Sequence, residues 1–166
     1  MTAPLVFITG ASSGIGEALA VRFARAGYRL ALVARRDAEI DAAMRRAGID
    51  AGRFAVLPAD VRDVDAVAGV AATCLASLGL PDVVIANAGI SVGIDTAAFD
   101  DLDVMRTTYE TNNLGMAATF QPFVRAMIER RTGALVGIAS VAGIRGLPGH
   151  GAYSSSKAAV IRNGIE

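Results

Sequence analysis

One stretch restricts the fold more than any other: Thr9-Gly10-Ala11-Ser12-Ser13-Gly14-Ile15-Gly16, a glycine-rich turn at which the hydrophobic period changes. Before it, Leu5-Val6-Phe7-Ile8 is continuously apolar, the pattern of a strand covered on both faces. After it, Ile15, Leu19, Val21 and Phe23 follow helical spacing as far as Gly27. A strand that feeds a helix through a tight turn leads naturally to a second, parallel strand, because the helix must return its apolar face to the sheet.

The same unit recurs along the chain. Strands are predicted over residues 29–34, 54–59, 82–86 and 134–139, and helices over 37–47 and 64–78. A loop from Asn87 to about Phe99 then leads into one long helix ending near Arg131, with Gly133 as its stop. Residues 140–149 read as a glycine-rich loop, and a last helix from Ala152 is still running at Glu166. The expectation is an α/β fold: a Rossmann-like, doubly wound parallel sheet with helices on both faces, forming a single domain over residues 1–166. With 53% hydrophobic residues, a chain of 166 residues can bury the core such a sheet needs.

Charge and composition exclude several classes. Sixteen basic and sixteen acidic residues cancel, and no cluster exceeds the pairs Arg35-Arg36, Arg45-Arg46 and Arg130-Arg131, so there is no electrostatic footprint for nucleic acid. No apolar run approaches the ~18 residues of a membrane span, and no basic segment precedes Leu5, so no membrane partner is expected and the location reads as cytoplasmic. Cys74 is the only cysteine, which rules out an internal disulfide and suits a reducing compartment. No metal site is expected.

The glycine turn suits a pyrophosphate, because its backbone can approach the anion closely and the following helix N-terminus favours negative charge. A nucleoside-triphosphate loop would need Lys and Ser/Thr after its final glycine, whereas Ile15, Gly16 and Glu17 stand here. About 20 residues further on, dinucleotide sites place an acid for a ribose 2′-hydroxyl. Ala34, Arg35 and Arg36 stand there instead, and a guanidinium pairs well with a 2′-phosphate, so NADP(H) is favoured over NAD(H), with Asp37 as the contrary sign.

Tyr153 and Lys157 lie four apart on the last helix and share a face. A cation beside a phenol stabilises the phenolate and suits it to proton exchange near neutral pH. Taken alone, such a pair is more often a surface pair, but Ser140 at the end of the fifth strand sits on the sheet edge where ligands bind and could hydrogen-bond a carbonyl oxygen.

In order and spacing, the glycine turn, Asn87-Ala88-Gly89, Asn112, Ser140 and Tyr153-Ser154-Ser155-Ser156-Lys157 resemble the short-chain dehydrogenase/reductase family along the whole chain. The resemblance implies hydride transfer between nicotinamide and a small carbonyl or alcohol substrate. Tyr153 would be the general acid/base and, with Lys157, would also contact the cofactor, Lys157 holding the nicotinamide ribose; Ser140 would orient the carbonyl, and Asn112 would support a proton-relay water. Gly10, Ser12, Ser13, Gly14, Ile15 and Gly16 would hold the cofactor phosphates, Asp60 and Val61 its adenine, and Asn87, Ala88 and Gly89 would flank it. Ala86 and Ala139 depart from the family's usual Asn and Ser, and His150 would line the substrate side. Family members generally continue for another third of a chain, so the family's C-terminal third is expected to be missing here.

Leu102, Met105, Tyr109, Met116, Phe120, Phe123 and Met127, widened by Leu114, Val124 and Ile128, mark a broad apolar stripe on the long helix. It reads equally as buried core or as the contact of a homo-oligomer, dimer or tetramer. A non-catalytic dinucleotide-binding or assembly protein is the alternative to an enzyme.

Overall fold

The computed structural model describes residues 3–95 and 97–163. Its centre is a sheet of five parallel strands, β1 (Leu5–Thr9), β2 (Arg29–Ala34), β3 (Phe54–Pro58), β4 (Val83–Ala86) and β5 (Ala134–Gly137), in the order β3-β2-β1-β4-β5. Phe7 of β1 is paired with Ala31 on one side and Val84 on the other. All five residues of β1 are buried, as its unbroken apolarity requires.

Alternation along the strands divides the core into two layers. Val6, Ile8, Leu30 and Leu32 face α1 (Gly14–Arg25) and α2 (Asp37–Arg46), where they meet Ala20, Ile40 and Met44. Leu5, Phe7, Ala31 and Val33 face the opposite way, onto Cys74 of α3 (Val64–Ser77) and onto Phe120, Phe123 and Met127 of α5 (Gly115–Arg130). The rings of Phe7 and Phe123 meet at 5.0 Å and 58°, and each fully buried side chain contributes about 1.5–3 kcal/mol. The sheet is therefore doubly wound and Rossmann-like. Winding reverses between β1 and β4, which opens a crevice beyond the carboxyl ends of the strands, where ligands of such sheets sit.

The structure departs from the sequence pattern in three places. The predicted long helix is divided into α4 (Asp101–Tyr109) and α5 by a π-helical turn at Glu110–Leu114. Its apolar stripe divides as well: Phe123 and Met127 are core, whereas Leu102, Leu114 and Ile128 remain exposed. The fifth strand leaves the ladder after Gly137, so Ile138, Ala139 and Ser140 form a connecting segment. Finally, α6 (Gly151–Arg162) is capped by Asn163, which has left the helix at φ −79°, ψ 73°; the rest of the helix expected to Glu166, residues 164–166, lies outside the described residues.

Candidate active site

β1 delivers the glycine turn to the mouth of the crevice, and hydrogen bonds hold it against the end of β4. The Asn87 side-chain amide donates to the carbonyls of Thr9 (3.0 Å) and Gly10 (3.1 Å). In return, the backbone N–H groups of Asn87 and Ala88 donate to the Thr9 hydroxyl at 3.2 and 3.3 Å. Gly16, on the first turn of α1, is so close to the incoming strand that a Cβ there would lie 2.1 Å from the Gly10 carbonyl oxygen. Thr9 is thus a structural partner of the turn that the spacing alone does not single out.

Five segments then line one cleft of about 360 Å³: the turn (Gly10, Ser12, Ser13, Ile15), the end of β2 (Arg35, Arg36), the end of β3 (Asp60, Val61), the segment after β4 (Asn87, Ala88, Gly89), and Thr107 and Thr111 of α4 and the π-helical turn. Gly14 and Gly16 belong to the first turn of α1 and are not among the residues that line the cleft. The cleft fits an elongated phosphorylated ligand. The close approach at Gly16 leaves backbone in place of side chain at the helix N-terminus, and two arginines stand at the far rim.

At that rim, Arg36 donates to the Ser12 hydroxyl at 3.4 Å and pairs with Glu39 at 3.2 Å. Arg35 stands 3.9 Å from Asp60, whose carboxylate is already held by Arg62 at 2.7 Å. That hydrogen bond from Arg62 keeps the Asp60 carboxyl below the usual carboxylate range, against the opposing effect of partial burial. Asp37, the contrary sign in the sequence, turns to its own helix start, where its carboxylate accepts from the Ala38 N–H at 2.8 Å.

Tyr153 and Lys157 project from α6 beside the cleft. Lys157 is only 6% exposed. Its Nζ donates to the Ile138 carbonyl at 2.6 Å and lies 5.9 Å from the centre of the Tyr153 ring. Burial lowers the pKa of this ammonium. A Cβ placed on Gly89 would lie 3.5 Å from Lys157 Nζ, which measures how closely the cofactor cleft and the α6 pair adjoin.

Ser140 closes the connecting segment after β5 and accepts a hydrogen bond from the Ala142 N–H at 3.2 Å, capping a short 3-10 turn at Val141–Gly143. That turn presses on α6: a Cβ on Gly143 would sit 2.6 Å from the Lys157 carbonyl. Ser140 therefore belongs to the same neighbourhood as Tyr153 and Lys157. His150 immediately precedes α6, and its Nδ1 is buried without a hydrogen-bond partner.

Asn112 lies within the π-helical turn and is 2% exposed. Its amide nitrogen donates to the Ile90 carbonyl (3.0 Å) and to the Ser156 hydroxyl (2.9 Å), while its oxygen accepts from the Ile90 N–H at 2.8 Å. Ser156 in turn donates to the Tyr153 carbonyl at 2.8 Å, and Asn113 donates to the Ser156 carbonyl at 2.9 Å. The side chain of Asn112 is thus committed to holding the segment after β4 against α6. Ser156 and Asn113 complete that link, and the only trace of them in the sequence is their adjacency to Lys157 and Asn112. Among the described residues, no group of acidic, His or Cys side chains could hold a metal ion, and no helix is long and apolar enough to cross a membrane.

Comparison with known proteins gives consistent matches. The family profile described as short chain dehydrogenase matches residues 4–162. An uncharacterized oxidoreductase of Myxococcus xanthus is 39% identical over 91% of this chain and 59% of its own length. Dehydrogenase/reductase SDR family member 7B of Bos taurus is 38% identical over 92% of this chain and 49% of its own length. The chain thus spans about half to three fifths of the length of these curated relatives. Among solved structures, a variant of actinorhodin polyketide ketoreductase with NADPH superimposes with a TM-score of 0.88 at 32% identity, covering 96% of this chain and 62% of that one. Serine dehydrogenase from Escherichia coli gives 0.86 at 28% identity, covering 95% and 72%.

Proposed function

Because this chain belongs to the short-chain dehydrogenase family, we propose that it is an NADP(H)-dependent oxidoreductase that interconverts a small carbonyl compound and its alcohol, with Tyr153 as general acid/base. The observation that carries this reading is the position of Lys157: a buried ammonium held by Ile138, 5.9 Å from the Tyr153 ring and adjoining the cleft at Gly89.

The glycine turn and the N-terminus of α1 would hold the cofactor pyrophosphate, Asp60 and Val61 would flank the adenine, and Arg35 and Arg36 would take a 2′-phosphate. A nicotinamide held there would supply or accept the hydride. Tyr153 delivers a proton to the substrate oxygen in reduction and takes it back in oxidation. Lys157 stabilises the negative charge left on the Tyr153 oxygen, and Ser140 donates a hydrogen bond to the substrate oxygen. Asn112 holds Ile90 and Ser156, and through them the spacing between cleft and α6; the family role of supporting a relay water is part of this proposal.

The exposed strip of α5, where Val124 and Ile128 line a shallow groove of about 600 Å³, supports association with a second copy of this chain, which sedimentation of the purified protein would test. For the chemistry, NADPH oxidation is followed with a panel of ketones and aldehydes. Tyr153→Phe should lower the rate by about 10²–10⁴-fold while leaving NADPH binding intact. Full activity in that variant would overturn the mechanism.

A further inference from the structure

The cleft has one carboxylate among its lining residues, Asp60, and three arginines, Arg35, Arg36 and Arg62. The arginines are not equivalent. Arg62 takes the carboxylate with Nε at 3.2 Å from both oxygens, with Nη2 at 2.7 Å, and with its own backbone N–H at 3.0 Å. Arg35 approaches the same carboxylate only to 3.9 Å, too far for a hydrogen bond. Asp60 is therefore saturated by Arg62, and the guanidinium of Arg35 is left with its donors unused by that carboxylate.

This matters for a phosphorylated ligand. A phosphate monoester carries about −1.5 to −2 charges near neutral pH, so an unpaired carboxylate at the same rim would repel it and would compete for the arginine meant to bind it. We propose that Arg62 is a specificity-determining residue for the phosphorylated dinucleotide: it neutralises Asp60 and thereby keeps Arg35 available for the 2′-phosphate. The inference rests on the NADP(H) reading above and extends it to a residue outside the phosphate contact itself.

The test is a fluorescence titration of the protein with NADPH and with NADH, which needs no substrate. Wild type should bind NADPH more tightly than NADH. Arg62→Gln and Arg62→Ala should each reduce that preference by about fivefold, because the freed Asp60 captures Arg35. Adding Asp60→Asn to either variant should restore the ratio of NADPH to NADH affinity, because any change in the adenine contact is shared by both dinucleotides. A preference unchanged in the Arg62 variants overturns this inference and leaves the NADP(H) reading intact. A preference lost and not restored by Asp60→Asn also overturns it, since Arg62 would then contact the phosphate directly. A wild type with no preference for NADPH sinks the NADP(H) reading itself.

Discussion

Lys157 donates from Nζ to the carbonyl oxygen of Ile138 at 2.6 Å, so a helix and the segment after β5 are tied together through a buried cation. The bond places the ammonium where the Tyr153 ring and Gly89 also converge, and it answers a backbone carbonyl that the strand ladder no longer uses. Burial in this position lowers the pKa of Lys157, which has a consequence for stability.

A lysine whose folded pKa is depressed binds fewer protons in the native state than in the unfolded chain, so stability rises with pH between the folded pKa and the unfolded value of 10.5. Wild type should therefore gain stability relative to Lys157→Met as the pH rises from neutral toward that value. Thermal midpoints of the two proteins across that range measure the difference, and parallel curves would refute it. Activity of Lys157→Met should be lost at every pH, since no cation then supports Tyr153.

Asn112→Ala removes three hydrogen bonds at once and leaves the Ile90 N–H and carbonyl without their partner in a largely buried setting. The expected cost is about 2–3 kcal/mol in urea unfolding. Asn112→Asp should rescue less than its shape suggests, because a carboxylate keeps the acceptor for Ile90 N–H but loses both donors. A loss below about 0.5 kcal/mol would mean that the π-helical turn does not depend on this amide.

Gly16→Ala should abolish tight dinucleotide binding while the sheet still folds. The added methyl would lie 2.1 Å from the Gly10 carbonyl oxygen, and relief requires the turn to move. An NADPH dissociation constant raised by at least about tenfold is expected, with the far-ultraviolet circular dichroism unchanged. Unaltered affinity would show that the turn has room to shift without leaving the ligand.

Cys74 is packed in the core between β-sheet and α3, and burial pushes its thiol up to about 11. The native protein should resist alkylation near neutral pH, and modification should follow the unfolding curve in urea. Rapid labelling of the native state would place the thiol in a segment that opens locally.

Much of this was legible in the residues alone. Continuous apolarity in Leu5-Val6-Phe7-Ile8 identifies a strand covered on both faces, and the shift to helical spacing at Ile15 identifies a parallel unit. The four-residue spacing of Tyr153 and Lys157 puts both on one helix face, because helix geometry is local. These signals survive without tertiary information since each depends on neighbours within a few positions.

The helix interruption was not legible in this way. Glu110-Thr111-Asn112-Asn113-Leu114 carries no proline or glycine to mark a change of winding, and the turn is held by Ile90 and Ser156, which lie 22 and 44 residues away from Asn112 in sequence. Arg62 escaped notice for a related reason, since an arginine two residues after an aspartate does not reveal whether their side chains meet.

The sequence by itself therefore determined the alternation of strands and helices, the glycine turn and the shared face of Tyr153 and Lys157, all of which follow from local periodicity and backbone sterics. Only the tertiary structure decided which groups answer one another: Lys157 the carbonyl of Ile138, Asn112 the backbone of Ile90, and Arg62 instead of Arg35 the carboxylate of Asp60. Hydrogen bonds and ion pairs are directional and act over about 3 Å, so they leave no period in the chain: the first two are settled by the packing of segments far apart in sequence, and the third by which of two guanidinium groups reaches Asp60.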